Sequence, residues 1–291
     1  MNAIQSYTTY FVYLDFSSPT LTHVFPEGNP VSGVTSLGDD VFVVRGEYCR
    51  QKIEVYDTKT FTFQRHITVP GLEKWCYGLA TCSANKCLYA SDFDRHRVHR
   101  VELSGSNAVM KWSVARRPIG LSVNGEHSLI VVSQGELKLQ IFTTHGALLQ
   151  DIQLQADVEY PWHAVQLPTG EFVISHTGSL HGVCLVDSDG TVVRSYGGKW
   201  GSELTQMNGP TGLAIDREKR VLVADQYNKR LLSVGRSLSH AHKMSVGVDG
   251  GLVGPRSLWY DQIRRRLYIG EWREGRVIVV DNLRDFTATK V

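Results

Sequence analysis

An all-β fold made of repeated meanders is predicted by three observations. Short apolar segments recur with turn signals between them, the unit they form repeats along the whole chain, and small residues mark the same place in most units. The repeat is measured from Pro30, Lys74, Pro118, Pro161, Pro210 and Pro255, spaced 44, 44, 43, 49 and 45 residues apart. Four short strands with their turns fill that length, as in a propeller blade. The expectation is a six-bladed β-propeller of four-stranded antiparallel blades, its ring closed by pairing of N- and C-terminal strands. One domain spans 1–291, with blades near 30–70, 74–115, 117–155, 160–200, 209–248 and 254–291 and a closing strand at 20–25.

The first strand of each unit contains Gly33-Val-Thr, Gly78-Leu-Ala, Gly120-Leu-Ser, His163-Ala-Val, Gly212-Leu-Ala or Ser257-Leu-Trp. Inner strands converge on a propeller axis, and small residues permit that approach. The second strands are continuous apolar runs, Val41–Val44, Leu88–Ser91, Leu129–Val132, Phe172–Ser175, Val221–Ala224 and Leu267–Gly270. Sheets covered on both faces need such runs. Third strands follow at Ile53–Tyr56, Val98–Val101, Leu139–Phe142, Val183–Val186, Leu231–Val234 and Val277–Val280. Turns such as Asp187-Ser-Asp-Gly190 and His145-Gly146 introduce the outer strands. Thr20–Phe25 reads as a fourth strand without a blade, expected to pair with the last unit and cover its edge. Phe286–Val291 is the rival for that place, and Tyr7–Phe16 is left without one.

Composition narrows the function. The chain is 42% apolar and 21% charged with a net charge of +2, so nucleic-acid binding would need a local patch. Five cysteines (Cys49, Cys76, Cys82, Cys87, Cys184) form no C-x-x-C pair and read as reduced thiols, with a Cys82–Cys87 disulfide as the lesser alternative. No Lys or Arg precedes Arg45, so the amino terminus lacks the basic start of a secretory signal, and Tyr10–Phe16 is too short to cross a bilayer. A cytoplasmic chain is expected. There is no phosphate-cradling glycine loop, no G-x-S-x-G and no H-E-x-x-H.

The fifth unit runs Pro210-Thr-Gly-Leu-Ala-Ile-Asp216, then Val223-Ala-Asp225, then Asn228-Lys-Arg230. The second follows with Tyr77-Gly-Leu-Ala80, Ser91-Asp92 and Arg95-His-Arg97. These segments resemble the NHL repeat, whose propellers often end tripartite-motif ubiquitin ligases and their RNA-repressor relatives. The likeness covers most of the chain and is weak in the first and fourth units. It implies a six-bladed, non-catalytic binding platform, possible as the substrate-recognition part of a ubiquitin-ligase-like protein. The family's zinc-binding ligase modules are absent from the sequence.

An acid ending the second strand is followed five residues later by Arg in Asp92…Arg97, Asp225…Arg230 and Glu271…Arg276. Each pair is expected to pin its loop. The first unit has Arg45…Arg50 and the fourth His176…His181. His163 and Trp162 share the fourth unit, and the two imidazoles with Trp162 could gather on one rim as a site or simply pack.

The loops leading into each blade and those joining second to third strands emerge together. Collected there are Arg45, Tyr48, Trp75, Tyr77, Phe93, Arg95, Arg117, Trp162, His163, His176, Tyr227, Lys229, Arg256, Trp272 and Arg273. Rings supply contact area and Arg supplies planar charge-assisted hydrogen bonds. Acids on the same rim (Glu47, Asp94, Glu136, Asp157, Glu159, Glu274) dilute the positive field and favour a protein or peptide partner. Single-stranded RNA is the alternative, through base stacking on the same rings. A metal-dependent hydrolase or lyase is the second alternative, disfavoured because inner-strand positions are mostly Gly, Ala, Ser and Leu. No cofactor, metal or catalytic residue is expected, and the isolated propeller is expected to be monomeric. On the opposite rim, Arg217–Arg220 and Arg264–Arg266 read as solvated turns, with an acidic partner as the rival.

Overall fold

A computed structural model of the protein describes residues 19–25, 27–46 and 50–283. The described chain forms six four-stranded antiparallel sheets arranged as a six-bladed propeller. Among these residues no helix is long and apolar enough to cross a membrane. The inner strands are Val31–Leu37, Leu79–Cys82, Pro118–Val123, Pro161–Gln166, Pro210–Ile215 and Pro255–Asp261. The second strands, such as Leu129–Ser133 and Val221–Asp225, are buried at every residue. That explains why they do not alternate in polarity.

Five blades follow chain order. The sixth takes its outer strand from Thr20–Val24, which runs antiparallel to Val277–Asp281. Phe25 continues the pairing by donating its N–H to the Val277 carbonyl at 2.9 Å. Its buried ring then meets Tyr56 of the first blade edge-on at 4.6 Å. The early strand therefore closes the ring. The rival closing segment, 286–291, and the segment 7–16 lie outside the described residues, as do Tyr48 and Cys49.

The core lies between blades. Phe42, Val44 and Ile53 of the first blade, for example, pack against Leu88, Ala90 and Val101 of the second. Near the axis the packing is tighter. A methyl group on Gly120 would collide with the Trp162 carbonyl, and one on Gly212 with the Arg256 carbonyl. No ladder joins one blade to the next, so side chains bridge them: Ser122 Oγ donates to the Ala164 carbonyl at 2.6 Å, and Thr211 Oγ1 to the Arg256 carbonyl at 3.1 Å. The four described cysteines are buried and free, with Cys82 and Cys87 facing each other across a hairpin.

A bulge recurs at the start of the inner strand. Pairing with the second strand slips between Val31 and Gly33, Pro118 and Gly120, Pro161 and His163, Pro210 and Leu213, and Pro255 and Ser257. A bulge leaves a residue out of the ladder and re-aims its side chain. The residues released are Ser32, Ile119, Trp162, Thr211 (with Gly212) and Arg256. In the second blade the equivalent position, just before the glycine, is Tyr77. This device builds the site.

Candidate binding site at the channel mouth

Ser32, Tyr77, Ile119, Trp162, Thr211 and Arg256 all line a central channel of about 850 Å³. Small or aliphatic residues occupy blades 1, 3 and 5, and the large Tyr77, Trp162 and Arg256 occupy blades 2, 4 and 6. The Arg256 guanidinium carbon lies 5.1 Å from the Tyr77 ring centre, 5.1 Å from Trp162 and 4.1 Å from Trp272. Reaching rings from three alternate blades requires the guanidinium to stand at the axis. It caps the channel.

Further rings extend this cap on one side. Trp75 stacks on Tyr77 at 5.7 Å, Phe93 meets Tyr77 edge-on at 5.0 Å, and Arg117 lies over Phe93 at 5.3 Å. Trp272 is fixed by close packing on Gly46, where a side chain would meet its ring. Trp162 is held by its indole N–H, which donates to Thr177 Oγ1 at 3.1 Å. The rings are half-buried, leaving part of each face to solvent.

The electrostatics of the cap are unusual within this fold. Arg45, Arg220, Arg230, Arg264, Arg266 and Arg276 each pair with a carboxylate. For Arg256 no carboxylate partner and no hydrogen-bond acceptor occur among the described residues. Burial pushes its pKa down to about 10, so it remains a cation at neutral pH, steadied by π faces alone.

Of the other expected rim residues, several serve the scaffold. Arg45 binds Glu54 through Nε at 3.1 Å and donates to the Asn29 and Gly275 carbonyls, joining the first blade to the sixth. Arg95 pairs with Glu73 and donates to the Gly71 carbonyl. His163 accepts the Leu213 N–H on Nδ1 at 3.1 Å and donates from Nε2 to the Leu121 carbonyl at 3.0 Å. Both nitrogens are engaged, and burial pushes its pKa down. His176 is buried at the end of its strand, its pKa lowered by burial, beside Asp157 and His181. His163 is thus spent on two backbones of other blades, while His176 lies beside Asp157 and His181. Among the described residues, no three His, Cys, Asp or Glu side chains are grouped to hold a metal. Tyr227 is 57% exposed over Gly209, while Lys229 and Arg273 are exposed farther out.

The loop-pinning rule holds at Asp225–Arg230 (2.8 Å) and Glu271–Arg276 (2.6 Å). At Asp92 the loop contact is kept, Oδ1 accepting from the Arg95 N–H at 3.4 Å, but no pair with Arg97 forms: Oδ2 accepts from His99 Nε2 at 3.2 Å. A buried imidazole two residues beyond Arg97 takes the carboxylate instead. On the opposite rim, Arg220 pairs with Asp216, Arg264 with Asp261 and Asp39, and Arg266 with Asp281. Those three charges are spent internally, while Arg217 and Arg265 of the same turns are exposed.

Sequence reasoning missed Trp200. Its ring is 67% exposed and its indole N–H donates to Asn208 Oδ1 at 2.9 Å, beside Tyr227, whose backbone N–H bonds the Asn208 carbonyl. Its position after the Gly197-Gly198 turn was the available signal.

No family model matches the chain, and no curated protein matches it. Solved structures share its fold at low identity. A Bacteroides thetaiotaomicron protein of unknown function is 11% identical with a TM-score of 0.71, covering 88% of this chain and 70% of its own. A streptogramin B lyase is 10% identical with a TM-score of 0.63, covering 92% and 87%. Hydrazine synthase of Kuenenia stuttgartiensis is 12% identical with a TM-score of 0.64, covering 95% and 100%. At these identities the likeness establishes the propeller fold alone.

Proposed function

We propose that this chain is a recognition platform that binds a protein or peptide segment across the channel mouth, on the rings of Trp75, Tyr77, Phe93, Trp162 and Trp272. One observation carries the reading: rings from alternate blades converge on the axis and keep part of their faces in solvent. Rigid aromatic area of this kind gives affinity at low entropic cost. The Gly-Leu-Ala strands and the Asp225–Arg230 and Glu271–Arg276 pairs support placing the chain beside NHL propellers. The four free, buried cysteines fit a reducing compartment such as the cytoplasm.

Selection from a displayed random-peptide library against the purified protein tests this. Enriched peptides should lose about tenfold or more in affinity on Trp272→Ala, the loss expected of an aromatic hot spot. Absence of enrichment, together with binding of single-stranded RNA whose log affinity falls linearly with log salt, overturns the reading in favour of RNA.

A further inference from the structure

Arg256 poses a physical question that the platform alone does not answer. Its side chain is re-aimed to the axis by a bulge between Pro255 and Ser257, against three rings and away from any carboxylate among the described residues. Half-burying a guanidinium among rings without supplying an anion costs part of its hydration, and π faces offset only some of that cost. Rings also satisfy none of its five N–H donors in the plane of the fork. Three acids of the same rim are engaged elsewhere: Glu73 with Arg95, Glu159 with Ser179 Oγ and N–H, and Glu274 with Arg276. These acids are held by their own partners, while the centre keeps a planar cation with no carboxylate partner among the described residues.

Resting on the platform reading, we propose that Arg256 is the anion-recognition centre of the mouth. It takes a carboxylate of the bound peptide, with the peptide's apolar neighbours laid on Tyr77, Trp162 and Trp272. The shared chemistry is a carboxylate, supplied by an Asp or Glu side chain or by the peptide's own terminus. A guanidinium fork matches that group through two parallel N–H···O bonds, and the surrounding rings exclude water and strengthen them. The channel below the cap, with Leu79, Leu121, Leu213 and Leu258 on its walls, offers an apolar side chain a place beside the charge.

The test selects two random decapeptide libraries on the full chain, one displayed internally without a free terminus and one with a free carboxyl end. Enrichment of Asp or Glu in the first, or of any sequence only in the second, identifies the carboxylate's source. The best peptide and its amide counterpart (Asp→Asn, Glu→Gln or an amidated terminus) are then titrated against wild type and Arg256→Met. Removing the carboxylate should weaken binding to the wild type by roughly 10- to 100-fold. The same change should cost less than twofold on Arg256→Met, because the pair is already broken. The wild-type titration needs no variant, so misfolding of Arg256→Met cannot rescue or hide the result. Peptides that need Trp272 but tolerate loss of the carboxylate would overturn the role of Arg256 and leave the platform standing. Failure to enrich any peptide would overturn both.

Discussion

His163 illustrates how one residue can look chemical and act structurally. Its ring ties the third blade to the fifth by accepting from Leu213 N–H and donating to the Leu121 carbonyl, an arrangement open only to the neutral imidazole. The folded pKa is lowered by burial, so the unfolded chain takes up a proton near pH 6.5 while the folded chain resists it. Stability is therefore full above about pH 7 and falls as the pH drops below about 6.5. Urea midpoints measured from pH 8 to pH 5 should decline on the acid side, and His163→Gln should flatten that decline. Arg256 shows the converse case. Its type was legible as a binding residue, but its isolation from carboxylates depends on three blades meeting.

At the scale of the element, the connection between the fourth and fifth blades is held chiefly by Arg230, with Asn228 Nδ2 adding a bond to the Gly201 carbonyl at 2.8 Å. Arg230 donates from Nε to the buried Asp225 carboxylate at 2.8 Å, and from its other nitrogens to the carbonyls of Ser202, Glu203 and Gln206. The loop carrying the exposed Trp200 is thereby fastened to a second-strand end. Arg230→Ala would leave the Asp225 carboxylate, which has no exposed area, without its cation and with only the Asn208 N–H and Asn228 Nδ2 donors, and should cost about 3–5 kcal/mol in urea denaturation. The acid-then-Arg spacing announced this pair because a four-residue hairpin loop places the two ends side by side, as the Asp225↔Arg230 register confirms. The same spacing misled at Asp92, although Asp92 and Arg97 are register partners too. There His99, on the buried face of the third strand, competes for the carboxylate, and a local spacing carries no account of such a competitor.

For the whole molecule, closure is the decisive event. The outer strand of the sixth blade comes from the other end of the chain, and Phe25 locks the junction against Tyr56 and Phe61 of the first blade. Phe25→Ala should cost about 3–5 kcal/mol. It should also broaden the thermal transition, because an opened ring leaves the Val277–Asp281 edge unpaired. Calorimetry of the variant beside the wild type checks both expectations.

Sequence by itself determined the blade count, the strands and the rim on which the loops gather, since period, apolar runs and turn residues are local properties. It also supplied most of the rings. Only the tertiary structure decided which of them meet: the bulges turn Trp162 and Arg256 to the axis, Arg45 and Arg95 are consumed by nearby carbonyls and acids, and His163 is spent on two backbones. Proximity across alternate blades joins residues roughly 85 to 95 positions apart, as from Tyr77 to Trp162 and from Trp162 to Arg256. A linear pattern places each such residue on a face, but the packing of the other blades chooses its partner.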